Sequence, residues 1–183
     1  MKSKPKVSLP EGETDPNLLY NAVGRAIHAW EAMEEAFARL FAAFTGLPEQ
    51  PDALMEYGSD NRRFVDRMAA IRAAGERYFC LKPSQENEAI LQDLLTAAAD
   101  LSIKRHRIAH GHITMWTEFQ LPEAKGPFEV TGQILYRWGA PWYSTGTLRT
   151  NPVGVNASTI ETDQKAFENL HNRIFKFTSE LQS

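Results

Sequence analysis

Hydrophobic spacing along the chain changes twice. Val23, Ile27, Trp30, Phe37, Phe41 and Phe44 recur every three or four residues, with Met33 and Leu40 widening the face. This predicts an amphipathic helix over about 16–45. Asp15 suits its N-cap and Pro16 its first turn, where a missing N–H costs nothing. Gly46 and Pro48 stop it. Residues 46–58 read as a linker with room for a short turn of helix. Ser59 or Asp60 can cap a second long helix, 60–79, carrying Phe64, Met68, Ile71 and Tyr78. Ser84 caps a third, 85–110, with Leu91, Leu94, Ala98, Leu101 and Ile108 on one face and Gly111 at its end.

Beyond Gly111 the period drops to two. Ile113 to Phe119 and Phe128 to Trp138 alternate as strands do, and Trp142 to Arg149 can add a third strand after Gly139-Ala140-Pro141. Helical spacing returns with Phe167, Leu170, Ile174, Phe177 and Leu181, over 160–181, behind a Ser158/Thr159 cap. Four long helices with apolar stripes bury those stripes most simply against one another. The expected fold is mostly α: a four-helix bundle with a small β insertion, about 112–150, between the third and fourth long helices. Residues 1–14 read as a flexible tail and 15–183 as one domain.

Composition narrows the class. At 183 residues the chain is long enough to bury a core without a disulfide or metal. Cys80 is its one cysteine, which excludes an internal disulfide and fits a reducing compartment. The basic start MKSKPK is followed by no apolar run, and no stretch approaches the ~20 apolar residues of a membrane span. The expectation is a cytoplasmic protein without a membrane partner. A net charge of −3 argues against a protein that coats nucleic acid through many phosphate contacts. The charge is nonetheless uneven, since Lys104, Arg105 and Arg107 crowd into four residues.

That crowding marks the candidate site. Arg105 continues the apolar stripe of the third long helix, four residues after Leu101 and three before Ile108. A guanidinium stays charged, so a place among leucines is costly unless a carboxylate, a phosphate or a cleft receives it. His110 closes the same helix, where a histidine can titrate near neutrality and the partial negative charge of the helix end favours its protonated form. At ~100° per residue the two side chains diverge by roughly 140°. They share a pocket only if the last turn loosens or the pocket lies between helices or subunits.

The segment Arg105-His106-Arg107-Ile108-Ala109-His110, with Gly111 behind it, resembles the motif of the HEPN superfamily, helical domains of many prokaryotic toxins and RNA-degrading defence proteins. That motif is an arginine, a polar residue and, a few residues on, a histidine at the end of a bundle helix. The resemblance implies metal-independent cleavage of single-stranded RNA. The 2′-hydroxyl attacks the neighbouring phosphate, His110 moves a proton and Arg105 steadies the developing charge. It also implies a homodimer whose motifs face each other, no cofactor or metal, and an antitoxin on a separate chain. His106 and Glu34 then support the site, and Lys104, Arg107 and His112 contact RNA. Some members carry a tyrosine two residues after the motif histidine; His112 stands there here.

Other readings stay open. Glu34 also lies in an apolar stripe, seven residues after Ile27, and is the natural partner for Arg105 in a purely structural ion pair. A silent module binding RNA, nucleotide or protein is the alternative function. His106 and His110 are spaced to share a metal, with His112 nearby, but no carboxylate follows until Glu118. His28 and His171 read as surface or packing residues and Cys80 as a structural thiol. The aromatics Trp116, Phe119, Phe128, Tyr136, Trp138, Trp142 and Tyr143 suit either base stacking or core packing, and packing is the commoner use.

Overall fold

A computed structural model of the chain describes residues 11–46, 51–58, 63–116, 119–120, 129–130, 134–139 and 154–182. Five helices account for most of them: α1 (Pro16–Thr45), α2 (Pro51–Gly58), α3 (Phe64–Leu81), α4 (Gln85–Ala109) and α5 (Ala157–Gln182). Among the described residues, four short strands lie between α4 and α5: β1 (His112–Trp116), β2 (Phe119–Gln120), β3 (Glu129–Val130) and β4 (Leu135–Gly139). Strand β1 pairs antiparallel with β4, and β2 with β3. The chain is thus mostly helical with a small β part. The strand expected over 142–149 and the residues Ser59 and Asp60 themselves lie outside the described residues.

The structure divides into two compact units, one of Ala26–His106 with Thr162–Ser183 and one of Met1–Arg25 with Arg107–Glu161. Each is built from separated stretches of chain, and α1, α4 and α5 contribute residues to both.

The first unit is helical. Its core gathers Met33, Phe37, Leu40, Ile71, Leu94, Ala98, Leu170 and Ile174, all buried and all at helical spacing. Aromatic edges lock the helices together. Trp30 meets Phe64 of α3 at 5.1 Å and Phe167 of α5 at 5.4 Å, and Phe44 meets Phe79 at 5.6 Å and Phe177 at 6.4 Å. Tyr57 brings α2 against Phe41. The short helical element for which the linker left room is thus a helix of eight residues. His171 packs as one of its two readings had it, its Nδ1 lying 3.0 Å from the Ala32 carbonyl, while His28 is exposed. Cys80 is a free, exposed thiol.

Helix α1 ends at Gly46, whose φ of 72° is the left-handed conformation that glycine adopts without a Cβ penalty. Two start signals are as expected: the Asn17 N–H donates to Asp15 Oδ1 at 2.9 Å, and the Asn87 N–H to Ser84 Oγ at 3.3 Å. Two others differ. Arg63 is the N-cap of α3, its backbone N–H held by the Asp66 carboxylate. Asn156, rather than Ser158 or Thr159, caps α5 by accepting from the Thr159 N–H at 3.0 Å. Asn156 directly precedes the first helical residue, Ala157, the position from which a short polar side chain accepts from the third helical N–H.

The second unit contains the hairpin of β1 and β4. Strand β4 is bridged on its other edge by Glu13, opposite Tyr136, and by Val155, opposite Trp138. The expected tail over 1–14 therefore ends earlier, because Glu13 is in a β-bridge and its carboxylate also accepts from the Ala157 N–H at 2.8 Å. Trp138 is buried and meets Tyr20 edge to face at 6.4 Å, so this aromatic packs rather than offering a stacking platform. Phe128, Trp142 and Tyr143 lie outside the described residues.

Candidate functional site

In the helical unit, α1, α3 and α4 line an open cavity of about 560 Å³. It is lined by Trp30, Glu31 and Glu34 from α1, by Arg63 and the α3 residues Phe64, Val65 and Arg67, and by Ser102, Ile103, Arg105 and His106 from α4. Helical spacing explains the convergence. Glu34 lies four residues after Trp30, Arg67 three after Phe64 and Arg105 four after Leu101, so each charge sits beside the buried stripe of its own helix.

Glu34 does not pair with Arg105. Arg67 grips it at two points, Nε to Oε2 at 3.0 Å and a terminal nitrogen to Oε1 at 2.6 Å. Tyr57 adds a hydroxyl hydrogen bond to Oε2 at 3.1 Å. The carboxylate is 10% exposed and Arg67 25%, so this is the buried ion pair that the α1 stripe called for, with α3 supplying the cation. Burial, and then the Glu34 charge, push the Tyr57 hydroxyl well above its ordinary pKa. Burial opposes the Arg67 charge, but its hydrogen bonds to Glu34 and the carboxylate's own charge outweigh that and raise its pKa.

Arg105 is left with less. Its side chain is 36% exposed and lies 3.9 Å from Glu31, a carboxylate that is itself 61% exposed. That distance is an ion pair without a good hydrogen bond. Its Nε is buried and has no hydrogen-bond partner. His106 is exposed and lines the same cavity. Lys104 turns elsewhere, its ammonium 3.0 Å from the buried carboxylate of Asp163.

The remaining candidates belong to the second unit. Arg107 is exposed, and His110 is exposed in the turn that follows α4. The end of α4 is fixed by Trp138, whose indole N–H donates to the Ile108 carbonyl at 2.9 Å, satisfying one of the acceptors that a helix leaves over. Gly111 lies so close beneath that ring that a Cβ there would stand 2.0 Å from the indole nitrogen. Glycine is required here by close approach, not by a left-handed backbone. His112 opens β1, with its Nδ1 buried and unpartnered. Arg137 Nε in β4 is likewise buried and unpartnered, and burial lowers its pKa against the opposing charge of Glu11.

Arg105, His106 and Glu34 thus share one cavity. Lys104, Arg107, His110 and His112 do not line it. Sequence reasoning missed Arg63, Arg67, Tyr57 and Glu31. A signal existed for Arg67, which stands three residues after Phe64 and four before Ile71, a charge in an apolar stripe like Arg105. Among the described residues, no three His, Cys, Asp or Glu side chains gather as a metal site, and no helix is long and apolar enough to cross a membrane. The arrangement can bind an oxyanion: a guanidinium with a loose counter-ion faces a cavity that can hold a small molecule. Compared with protein families, curated proteins and solved structures, the chain shows no match to any of them.

Proposed function

We propose that the chain is a metal-independent endoribonuclease of HEPN type, a cytoplasmic homodimer of the toxin or defence class. It would adopt a HEPN-like four-helix bundle with a β insertion and be restrained by a separate antitoxin chain. The observation that carries this reading is the state of Arg105. Glu34 is engaged by Arg67 and Tyr57, so Arg105 keeps a buried N–H without an acceptor and only a long contact to Glu31. A cation held short of acceptors at a cavity suits a phosphate whose charge rises during reaction. In this reading the 2′-hydroxyl attacks the adjacent phosphorus, the bond to the 5′-oxygen breaks and His110 moves the proton, while Lys104, Arg107 and His112 contact the RNA and His106 and Glu34 support the site. An RNA-cleavage assay with and without EDTA tests it, alongside Arg105→Ala and His110→Ala.

One observation favours a silent RNA- or nucleotide-binding module instead. The cavity is lined by Arg105 and His106 but not by His110, as binding without proton transfer would require. Arg105-dependent RNA binding by a protein that cleaves none of the single-stranded RNAs offered would establish this second reading.

A further inference from the structure

We infer that the β1–β4 hairpin of the second unit carries a carboxylate-binding site, in which Arg137 and His112 receive the two oxygens of a small organic acid. Arg137 has no role in the ribonuclease reading, so this site stands or falls apart from it.

The strand register puts these groups on one face. His112 of β1 lies opposite Gly139 of β4, and Thr114 lies opposite Arg137. Directly paired residues of an antiparallel ladder point to the same side, so His112, Thr114 and Arg137 share one face while Ile113 and Trp138 take the other. His112 and Arg137 are diagonal neighbours, a separation that an arginine side chain spans. Gly139 puts no side chain between them. Across β4, Gly12 and Gly154 flank the Arg137 stem: a Cβ on either would stand 3.2 Å from its Cγ or Cβ. The same Cβ atoms would stand 3.0 and 2.7 Å from the Tyr136 and Trp138 carbonyl oxygens. Close packing on β4 thus keeps both positions free of side chains.

Arg137 and His112 each carry a buried nitrogen without a hydrogen-bond partner, Nε and Nδ1 respectively. Such atoms are uncommon and costly. Neighbouring groups do not meet the need. The Thr114 hydroxyl donates to the Arg137 carbonyl at 3.2 Å, and the Glu13 carboxylate accepts from the Ala157 N–H at 2.8 Å. Glu11 is exposed and acts on Arg137 through its charge alone. A carboxylate fits the two donors, with one charge for one guanidinium and one oxygen each for Arg137 Nε–H and His112 Nδ1–H. A phosphate would bring further charge and oxygens that two donors leave unpaired. Leu135, two residues before Arg137 and so on the same face, offers the acid's body an apolar neighbour. Both residues are half-buried as a whole, so a small acid can reach them from solvent.

Titration of the full, isotope-labelled chain with benzoate, followed by NMR on the arginine Nε–H signals and the β1 and β4 amides, tests the site. The Arg137 signal, identified by its loss in Arg137→Lys, should move on addition of benzoate. Benzamide has the same body without the charge and should bind at least about 10-fold more weakly, as should inorganic phosphate. Arg137→Gln should weaken benzoate binding at least about 10-fold, and Arg137→Lys severalfold if the Gln variant does not fold. His112→Ala should weaken it severalfold, and His112→Asn, whose amide N–H can stand in for Nδ1–H, should recover most of that loss. No movement of the Arg137 signal at tens of millimolar benzoate overturns the inference. So does benzamide binding as well as benzoate, or an affinity that ignores His112. Phosphate binding more tightly than benzoate through Arg137 would make this a phosphate contact and equally overturn it.

Discussion

Arg67 holds Glu34 through two hydrogen bonds, at 2.6 and 3.0 Å, and by doing so releases Arg105 from the partner its own position suggests. The two arginines resemble each other in sequence, each a charge beside an apolar stripe. Their surroundings give them opposite consequences on substitution. Arg67→Ala leaves a nearly buried carboxylate without its cation, which should lower stability by about 2–3 kcal/mol, the usual cost of breaking a buried pair reduced for its partial exposure. Arg105→Ala should stay within about 1 kcal/mol, because its contact to Glu31 is long and solvated. Thermal melts of the two variants, followed by circular dichroism, decide this, and equal losses would contradict the assignment.

Tyr57 makes stability depend on alkaline pH. Its folded-state pKa lies above the ordinary 10.0, raised by burial and by the Glu34 carboxylate. Below pH about 10 the hydroxyl is protonated in both folded and unfolded chains, and its contribution is fully present. Above that, the unfolded chain loses the proton while the folded one keeps it, so stability falls as pH rises. Melting temperatures measured from pH 8 to 11 should therefore drop more steeply in wild type than in Tyr57→Phe. Parallel curves would show that the hydroxyl does not titrate in this way.

The end of α4 should be sensitive to single atoms. Gly111→Ala places a methyl group where the Trp138 indole lies and should cost about 1–3 kcal/mol by overpacking. Trp138→Phe keeps an aromatic ring but leaves the Ile108 carbonyl without its donor, for about 1–3 kcal/mol. Denaturant midpoints measure both losses. A Gly111→Ala protein as stable as wild type would mean that the indole can move aside.

If Arg105 and His110 carry phosphodiester cleavage, Arg105→Ala and His110→Ala should each slow it on the order of 10²-fold or more, one through lost charge stabilisation and the other through lost proton transfer. His106→Ala should be milder, and EDTA should leave the rate unchanged. Gel-resolved cleavage of single-stranded RNA reads all four. A folded His110→Ala protein cleaving at the wild-type rate would refute the role given to that histidine.

The proposed homodimer is checked separately. Light scattering at tens of micromolar should give about twice the mass of the 20.7 kDa chain. A mass of one chain across that range would count against a shared cleft.

Much of the helical architecture is legible in the sequence because its cause is local. Leu91, Leu94, Ala98, Leu101 and Ile108 of α4 and Phe167, Leu170, Ile174 and Phe177 of α5 are all buried, as their spacing predicts, since a helix exposes a fixed stripe whatever it packs against. In α1 the stripe is shifted by one position near its start: Ala22 and Ala26 are buried, while the bulkier Val23 and Ile27 flank them. Size misled there, because a closely packed position can select a small residue. The caps at Asp15 and Ser84 are local for the same reason, and so is the charge in an apolar stripe that makes Arg105 conspicuous.

Partner choice is not local. Glu34 and Arg67 are 33 residues apart, and Ile108 and Trp138 are 30 apart. Spacing on one helix tells which face is apolar but not which helix covers it, so the sequence could place a charge in each stripe without saying which charges meet. Tertiary packing brought α3 and α2 to Glu34, and it thereby determined that Arg105, rather than Arg67, would face the cavity with a donor unmet.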